Sequence, residues 1–149
     1  MRRTSIISLL VAAGTVVAVA FPGWAAAQFT TVQATLSGAG DPDGSGSAVL
    51  EFDTKEEAVC YEIHTENVTT PITGAAITSN ETGEEVIGLL VIDDGPDLVE
   101  CVALGRFKAR SRQGLRAIGK DPGDYSLELY NDEHPSAPGA VRGRLEGVS

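Results

Sequence analysis

Residues 58–65 read AVCYEIHT, and this stretch sets the fold class because apolar and polar side chains alternate along it. Successive side chains of a β-strand point to opposite faces of a sheet, so Val59, Tyr61 and Ile63 share one apolar face. Cys60 falls on the opposite, more polar face. The stretch therefore predicts a strand that buries one side, with the Cys60 sulfur on the outer side of the sheet.

The same period of two recurs along most of the chain, in segments rich in β-branched residues and separated by turn clusters such as DDGPD and KDPGD. The further segments are FTTVQATL (29–36), SAVLEF (47–52), ITGAAITS (72–79), EVIGLLVI (85–92), LVECVALGRF (98–107), YSLELY (125–130) and AVRGRLEG (140–147). Eight short strands at this spacing predict an all-β antiparallel sandwich or barrel. We expect a Greek-key β-sandwich of the immunoglobulin or superoxide-dismutase type. The helical candidate, Ser111–Gly119, is one or two turns long.

The first 27 residues have the three parts of an export signal. They are a basic start at Arg2 and Arg3, an apolar run over residues 6–20, and small residues at 25–27. A membrane anchor is the alternative, but the run is shorter than the roughly 18–20 residues that cross a bilayer. We expect cleavage after Ala27 and a mature chain without a membrane span. The protein would then be secreted, periplasmic or associated with the cell envelope.

Removing residues 1–27 leaves 122 residues, enough for one domain over 28–149. The removed segment has two arginines and no acidic residue, so its loss takes the formal net charge from −10 to −12. Nucleic-acid binding depends on Lys and Arg side chains that neutralise phosphates, so this charge argues against nucleic acid as a partner. An acidic surface favours solubility and attracts cations.

Cys60 and Cys101 are the two cysteines of the chain. An even pair in an exported protein predicts a disulfide, with two buried free thiols as the alternative. A bridge that closes a loop of about 40 residues adds roughly 4 kcal/mol of stability in the loop-entropy model. The spacing is not C-x-x-C, so we expect a structural bridge rather than a redox-active one.

Residues 40–46, GDPDGSG, resemble the opening of a calcium-binding loop, where acidic residues alternate before a glycine. Asp41 and Asp43 are not followed by a third acid in register, and Phe52 stands where the closing glutamate would fall. Pro42 fixes its own φ angle and favours a turn. We therefore expect a turn between two strands rather than a calcium loop.

No pattern in the sequence predicts catalysis. The two histidines, His64 and His134, stand outside any recognisable catalytic motif, and there is no G-x-S-x-G elbow. His64 lies on the polar face of its strand, where a solvated histidine is the simpler interpretation. Adjacent acids such as Asp132 and Glu133 fall in turns and are expected to be solvated. We predict no catalytic residue, no metal site and no cofactor.

Several features follow one another in a fixed order along the chain. They are LSGAGDPDGSGSAVLEF, VCYEI, PITGAAI, the second cysteine, DPGDYSLELYNDEHP and PGAVRGRLEG, and they extend from Leu36 to Gly147. This series resembles the chordin-type CHRD domain in its exported bacterial form. In that family the region equivalent to GDPDGSG joins two early strands, which implies a hairpin connection here.

The chain departs from the family where the family usually has histidines. Where the family has A-H-I-H-x-G, this chain reads GAAITS over residues 74–79, and Ala76 and Thr78 stand in place of the two histidines. Tyr130 takes the place of a third, and Glu128 that of an asparagine. We expect Ala76, Thr78 and Tyr130 to converge, with the ring filling the vacated space, the hydroxyl bonding Thr78 or water, and no transition metal bound. The alternative is that the three positions face solvent and never formed a site.

These observations predict an exported, non-catalytic module rather than an enzyme. It would bind an unknown extracellular or cell-surface partner, or have a structural role. Two alternatives stay open. One is an acidic cation-binding module. The other is a metal-dependent enzyme, by analogy with the H-x-H strand of superoxide dismutase sandwiches; the missing histidines argue against it because zinc and copper sites need imidazole ligands.

Overall fold

The computed structural model describes residues 29–89, 91, 95–104 and 110–148. The predicted export signal over residues 1–27 lies outside these ranges, as do residues 90, 92 and 105–107 at the ends of two predicted strands. None of the helices within the described ranges has the length and apolar character that a membrane crossing requires.

The described residues form eight β-strands, one α-helix and a 3-10 turn. The strands are β1 Phe29–Gly38, β2 Ser45–Asp53, β3 Ala58–Glu66, β4 Ile72–Ser79, β5 Glu85–Leu89, β6 Asp97–Ala103, β7 Tyr125–Asn131 and β8 Val141–Gly147. The helix α1 (Arg110–Lys120) and the 3-10 turn (Pro122–Asp124) lie between β6 and β7. The prediction of an all-β antiparallel fold of about eight strands is confirmed.

The strands are neighbours in one sheet, in the order β5-β4-β7-β8-β1-β2-β3-β6, and this sheet nearly closes on itself. Four pairs of sheet neighbours are also consecutive in the chain: β1 with β2, β2 with β3, β4 with β5, and β7 with β8. The last strand, β8, lies between β7 and β1. It therefore joins a group of three strands, β5-β4-β7, to a group of four, β1-β2-β3-β6.

The alternation in sequence becomes alternation in burial. In β2, Ala48, Leu50 and Phe52 are buried, whereas Val49 and Glu51 are exposed. A strand turns successive side chains to opposite faces, so one face of β2 packs into the core and the other meets solvent. The period of two was thus a reliable guide to which face is buried.

The central parts of β4 and β7 are buried on both faces. All four residues over 75–78 are buried, and so are all four over 126–129. In each strand one face packs into the apolar core. Polar side chains cover the other face, and they form the first candidate site.

Helix α1 packs on the core through Leu115 and Ile118, which are both fully buried. Residues three apart lie on the same face of a helix, so these two form its apolar contact. Gly114 allows the helix to approach β5, because a Cβ atom there would lie 3.0 Å from Val86 Cγ1. The helix has eleven residues, about three turns, and is longer than the one or two turns expected over 111–119.

Buried apolar side chains from the strands and from α1 form a single core cluster. The largest fully buried members are Phe52, Leu36, Leu50, Ile63, Ile77, Leu98, Leu104, Leu115, Ile118, Leu127, Leu129 and Leu145. One continuous core is what a chain of this length is expected to build.

Candidate functional site

A polar cluster lies on the face of β4, β7 and β8 that points away from the core. The β4–β7 register places Thr78 opposite Ser126 and Ala76 opposite Glu128, and the β7–β8 register places Glu128 opposite Arg142. Directly opposed side chains in an antiparallel pair lie about 5 Å apart at Cβ, so this register alone brings them into contact.

Glu128 is the centre of the cluster and is only 2% exposed. Thr78 Oγ1 donates a hydrogen bond to Glu128 Oε1 at 3.0 Å, and the Tyr130 hydroxyl donates to Oε2 at 2.9 Å. Arg142 Nε lies 3.2 Å from Oε1 and forms an ion pair. A buried carboxylate is tolerated when its charge is paired and its oxygens are hydrogen-bonded, and Glu128 meets both conditions.

The three positions expected to converge lie around this carboxylate. Ala76 and Thr78 are each 1% exposed, and the Tyr130 ring covers Gly74, with Cδ2 3.5 Å from where a Gly74 Cβ would be. The Tyr130 hydroxyl bonds Glu128 and does not bond Thr78. Sequence reasoning treated Glu128 only as a replaced asparagine. A lone acid in the middle of the apolar strand YSLELY was the available signal for its buried position.

The environment of Tyr130 disfavours its ionised form. Burial, followed by the hydrogen bond to Glu128 and the charge of that carboxylate, raises the pKa of Tyr130 well above its ordinary value. A tyrosine is protonated at neutral pH even at its ordinary pKa of 10.0, and the raised pKa extends to more alkaline pH the range in which the phenol donates to Glu128.

An open recess of about 710 Å³ adjoins the polar cluster. It is lined by Ser79, Asn80, Glu81, Gly123, Asp124, Tyr125, Ser126, Arg142 and Arg144. Asn80 Oδ1 accepts hydrogen bonds from Ser126 Oγ at 2.6 Å and from Arg142 Nη2 at 2.8 Å. Asn80 Nδ2 donates to Gly123 O at 3.1 Å. Asn80 is thus held on three sides and ties the recess to the polar cluster.

Arg144 is the second cation of the recess. Its Nε donates a hydrogen bond to Gly123 O. Within the part of the chain that the structure describes, its two terminal guanidinium nitrogens have no hydrogen-bond or ion-pair partner. Arg142, in contrast, is engaged by Glu128 and Asn80. The recess therefore contains one arginine that is already bonded to protein groups, Arg142, and one, Arg144, whose terminal N–H groups can bind a ligand.

The disulfide prediction is confirmed, because Cys60 and Cys101 are bonded. They stand opposite each other in the β3–β6 register, with their Cα atoms 4.0 Å apart. Both belong to the outer, more polar face of their strands, as the alternation in residues 58–65 predicted. The bridge fastens β6, an edge strand, to the rest of the sheet.

His64 is exposed on that same outer face. Its Nδ1 contacts Asp97 Oδ1, and its Nε2 lies 3.6 Å from Glu66 Oε1. The hydrogen bond to Asp97, then the charge of Asp97, raises the pKa of His64 above its ordinary value of 6.5. His64 is therefore a surface side chain that contacts two acids and binds a proton more readily than a free histidine, in keeping with the solvated histidine expected on this face.

The first five residues of the GDPDGSG segment, 40–44, lie in the hairpin connection between β1 and β2, and its last two residues begin β2. The Gly44 amide donates to the Asp41 carbonyl at 2.9 Å, which closes a four-residue turn. Asp43 is exposed, whereas the Asp41 side chain is buried. Asp41 Oδ2 accepts hydrogen bonds from the Thr69 amide at 3.0 Å and from Asn131 Nδ2 at 3.1 Å. The first aspartate thus holds three loops together, a role that the sequence did not reveal.

A second cluster surrounds Asp41. Asp41, Glu133 and His134 each offer one metal-ligating atom, and these atoms all lie within 4.8 Å of one another. His134 Nε2 lies 3.2 Å from Asp41 Oδ1. In the sequence Glu133 has the pattern of a solvated acid, and nothing near His134 marks Asp41 as its partner, because Asp41 is more than ninety positions away.

The sequence model of the CHRD domain matches residues 27–145. A search of curated proteins finds no match. The matched segment includes seven complete strands and most of the eighth, together with every residue of the two clusters and of the recess. The chain belongs to the CHRD domain family.

Proposed function

We propose that the protein is an exported, non-catalytic binding module that acts at the cell surface or outside the cell. The observation that carries this proposal is the polar recess formed by Asn80, Arg142 and Arg144. Its walls come from the end of β4, the 3-10 turn, β7 and β8, so rigid elements hold the donors in place. Binding sites are typically preformed concave surfaces with a few fixed polar groups.

Glu128 supports binding rather than proton transfer. A general base must come within hydrogen-bond reach of the proton it removes. Both carboxylate oxygens of Glu128 already accept bonds from Thr78 and Tyr130, and the side chain is buried. Its role is to fix the Arg142 guanidinium, which in turn orients Asn80 at the recess.

The Arg144 side of the recess fits an anionic group of a polar ligand, whereas Glu81 and Asp124 also line the recess and favour hydroxyl or amide donors on the rest of that ligand. The terminal nitrogens of Arg144 form a planar fork, which matches carboxylate, sulfate or phosphate oxygens. The Asn80 amide and the Ser126 hydroxyl line the recess beside it and favour a ligand rich in hydroxyl or amide groups. Acidic polysaccharides combine these two features.

The experiment compares the purified protein with Arg144→Ala and Arg116→Ala on an array of neutral, uronic-acid and sulfated oligosaccharides. Arg116 is an exposed arginine of α1 and is not part of the recess, so it controls for the loss of one positive charge. We expect the protein to bind an anionic probe. The affinity should fall at least about tenfold in R144A, because one charge-assisted contact is lost, and it should be unchanged in R116A. No retention of any anionic probe, or equal binding by R144A, would contradict the proposal.

Export is supported by the N-terminal sequence and by the disulfide, since disulfides persist in oxidising compartments. Mass spectrometry of the protein recovered outside the cytoplasm tests whether the export signal has been removed. We expect that protein to begin at Gln28, and recovery of chains that retain residues 1–27 would contradict this.

A further inference from the structure

The cluster around Asp41 lies at the opposite end of β7 from the recess. The recess uses the first residues of β7, Tyr125 and Ser126, whereas the cluster adjoins its last residue, Asn131. Three loops meet there: the β1–β2 turn, the β3–β4 loop and the β7–β8 loop. This second site is separate from the recess, so what it binds does not depend on the ligand proposed for the recess.

Asp41 is held in one orientation although it lies in a turn. The residue is 7% exposed, and its Oδ2 atom accepts the Thr69 amide and the Asn131 side-chain amide. These two bonds leave Oδ1 as the atom that faces His134 Nε2. Hydrogen bonds to the second oxygen of a carboxylate are the usual way in which proteins orient a metal-ligating carboxylate.

His134 is positioned by its backbone and by a glycine. Its amide donates to Asn131 Oδ1 at 2.8 Å, so the same asparagine orients both Asp41 and His134. The imidazole ring packs against Gly40, where a Cβ atom would lie only 2.4 Å from the ring Cγ and Nδ1. Any larger residue at position 40 would displace the ring, and glycine therefore permits its position.

We propose that Asp41, Glu133 and His134 bind a divalent transition-metal ion of the zinc class, with water completing the coordination. Zinc accepts imidazole nitrogen and carboxylate oxygen at about 2.0–2.2 Å, which places two ligands of a tetrahedral site about 3.3 Å apart. The separation between His134 Nε2 and Asp41 Oδ1 is 3.2 Å. Glu133 is exposed, and its ligand atom lies within 4.8 Å of those of Asp41 and His134.

The ligand set favours a transition metal over calcium. Calcium takes six to eight oxygen ligands and is bound by carboxylates, carbonyls and water, whereas imidazole suits zinc, copper and nickel. Both histidines of the chain contact carboxylates, but only His134 belongs to a group that places three ligand atoms within 4.8 Å among the described residues. His64 therefore provides an internal control.

The test uses the whole protein, purified without a histidine tag and dialysed against a chelator. Co²⁺ is titrated in, and its visible d–d absorption reports the coordination geometry. Zn²⁺ is then added to displace the Co²⁺. Calorimetry with Zn²⁺ alone gives the stoichiometry and affinity of binding. We expect one equivalent to bind with a tetrahedral or five-coordinate Co²⁺ spectrum, and Zn²⁺ to raise the unfolding temperature because it binds the folded state.

Three variants decide which residues bind the metal. Glu133→Gln removes a ligand from an exposed position and preserves the hydrogen bonds that hold the loops, and His134→Ala removes the nitrogen ligand. We expect each to weaken Zn²⁺ binding at least about tenfold. His64→Ala should bind as the original protein does. Absence of saturable one-site binding, unchanged affinity in E133Q and H134A, or loss of binding in H64A would each overturn the proposal.

Discussion

At the level of single residues, the Glu128 carboxylate contacts side chains of three strands, β4, β7 and β8. Removal of its charge by Glu128→Gln leaves Arg142 beside a neutral amide and forces an amide N–H toward Thr78 or Tyr130, which both donate. We expect the free energy of unfolding to fall by about 1–3 kcal/mol, the cost of an unsatisfied buried polar group. Chemical denaturation measures this change.

The matched control is Glu62→Gln, an identical substitution at an exposed position on the outer face of β3. Surface substitutions of this kind usually change stability by less than about 0.5 kcal/mol. If E128Q were no more destabilising than E62Q, the carboxylate would not hold the strands together in the way described.

His64 provides a residue-level prediction about pH. Its pKa is raised by the hydrogen bond to Asp97 and by the nearby charges of Asp97 and Glu66. Nuclear magnetic resonance titration should therefore place it above 6.5, and Asp97→Asn should bring it back toward that value. A group with a raised folded-state pKa adds stability that is complete below the unfolded-state pKa and is lost as pH rises through the folded-state pKa. An ordinary pKa in the unmutated protein would contradict the pairing.

The sequence could predict which side chains share a face of a strand, because that depends only on whether their positions differ by an even number. Thr78 and Ala76 share a face because they are two apart in a strand, and the structure has them on one face. The partner of Thr78 could not be predicted, because Glu128 is fifty positions away and only the β4–β7 register brings them together. The same holds for Asp41 and Asn131, which are ninety positions apart.

At the level of elements, strands were easier to predict than the helix. β4 has the bounds that its alternation predicted, Ile72–Ser79. Helix α1 contains Gly114, and an interior glycine costs a helix about 1 kcal/mol relative to alanine. Its full length arises from packing of Leu115 and Ile118 on the core, and tertiary packing is not visible in local propensity.

The disulfide yields a prediction about one edge of the sheet. β6 pairs with β3 and is the last strand in the sheet order, and the Cys60–Cys101 bridge cross-links these two strands. Replacing both cysteines with alanine should reduce stability by about 4 kcal/mol in the loop-entropy model. Hydrogen exchange should rise more in β6 than in the central strand β1. Uniform exchange across all strands would show that the bridge acts only on the unfolded chain.

At the level of the whole molecule, strand order was beyond sequence reasoning. Alternation predicts that each strand has a buried face, but it does not say which strands are neighbours. Hairpins follow from short connections, and GDPDGSG was expected to be one. The placement of β8 between β7 and β1 joins residues more than a hundred positions apart, such as Ser37 and Arg142. A pairing between such distant residues leaves no local signal in the sequence.

This placement leads to a prediction about the C-terminal strand. β8 is the hydrogen-bonded link between β5-β4-β7 and β1-β2-β3-β6, and it contributes the buried residues Val141 and Leu145 to the core. A chain that ends at Gly139 lacks β8, and with it the pairing to β7 and β1 and the Arg142 partner of Glu128. We expect it to lose cooperative thermal unfolding and to bind a hydrophobic dye, although every other strand is present.

A point variant distinguishes the effect of disturbing β8 from the effect of shortening the chain. Leu145→Asp keeps all backbone pairing residues but places a charge in the core, which should destabilise the protein by several kcal/mol. Glu146→Asp, an exposed change one position further along β8, should unfold as the original protein does. If the truncated chain unfolded cooperatively near the original temperature, the two strand groups would be stable without β8. The sheet order would then not be the feature that holds this fold together.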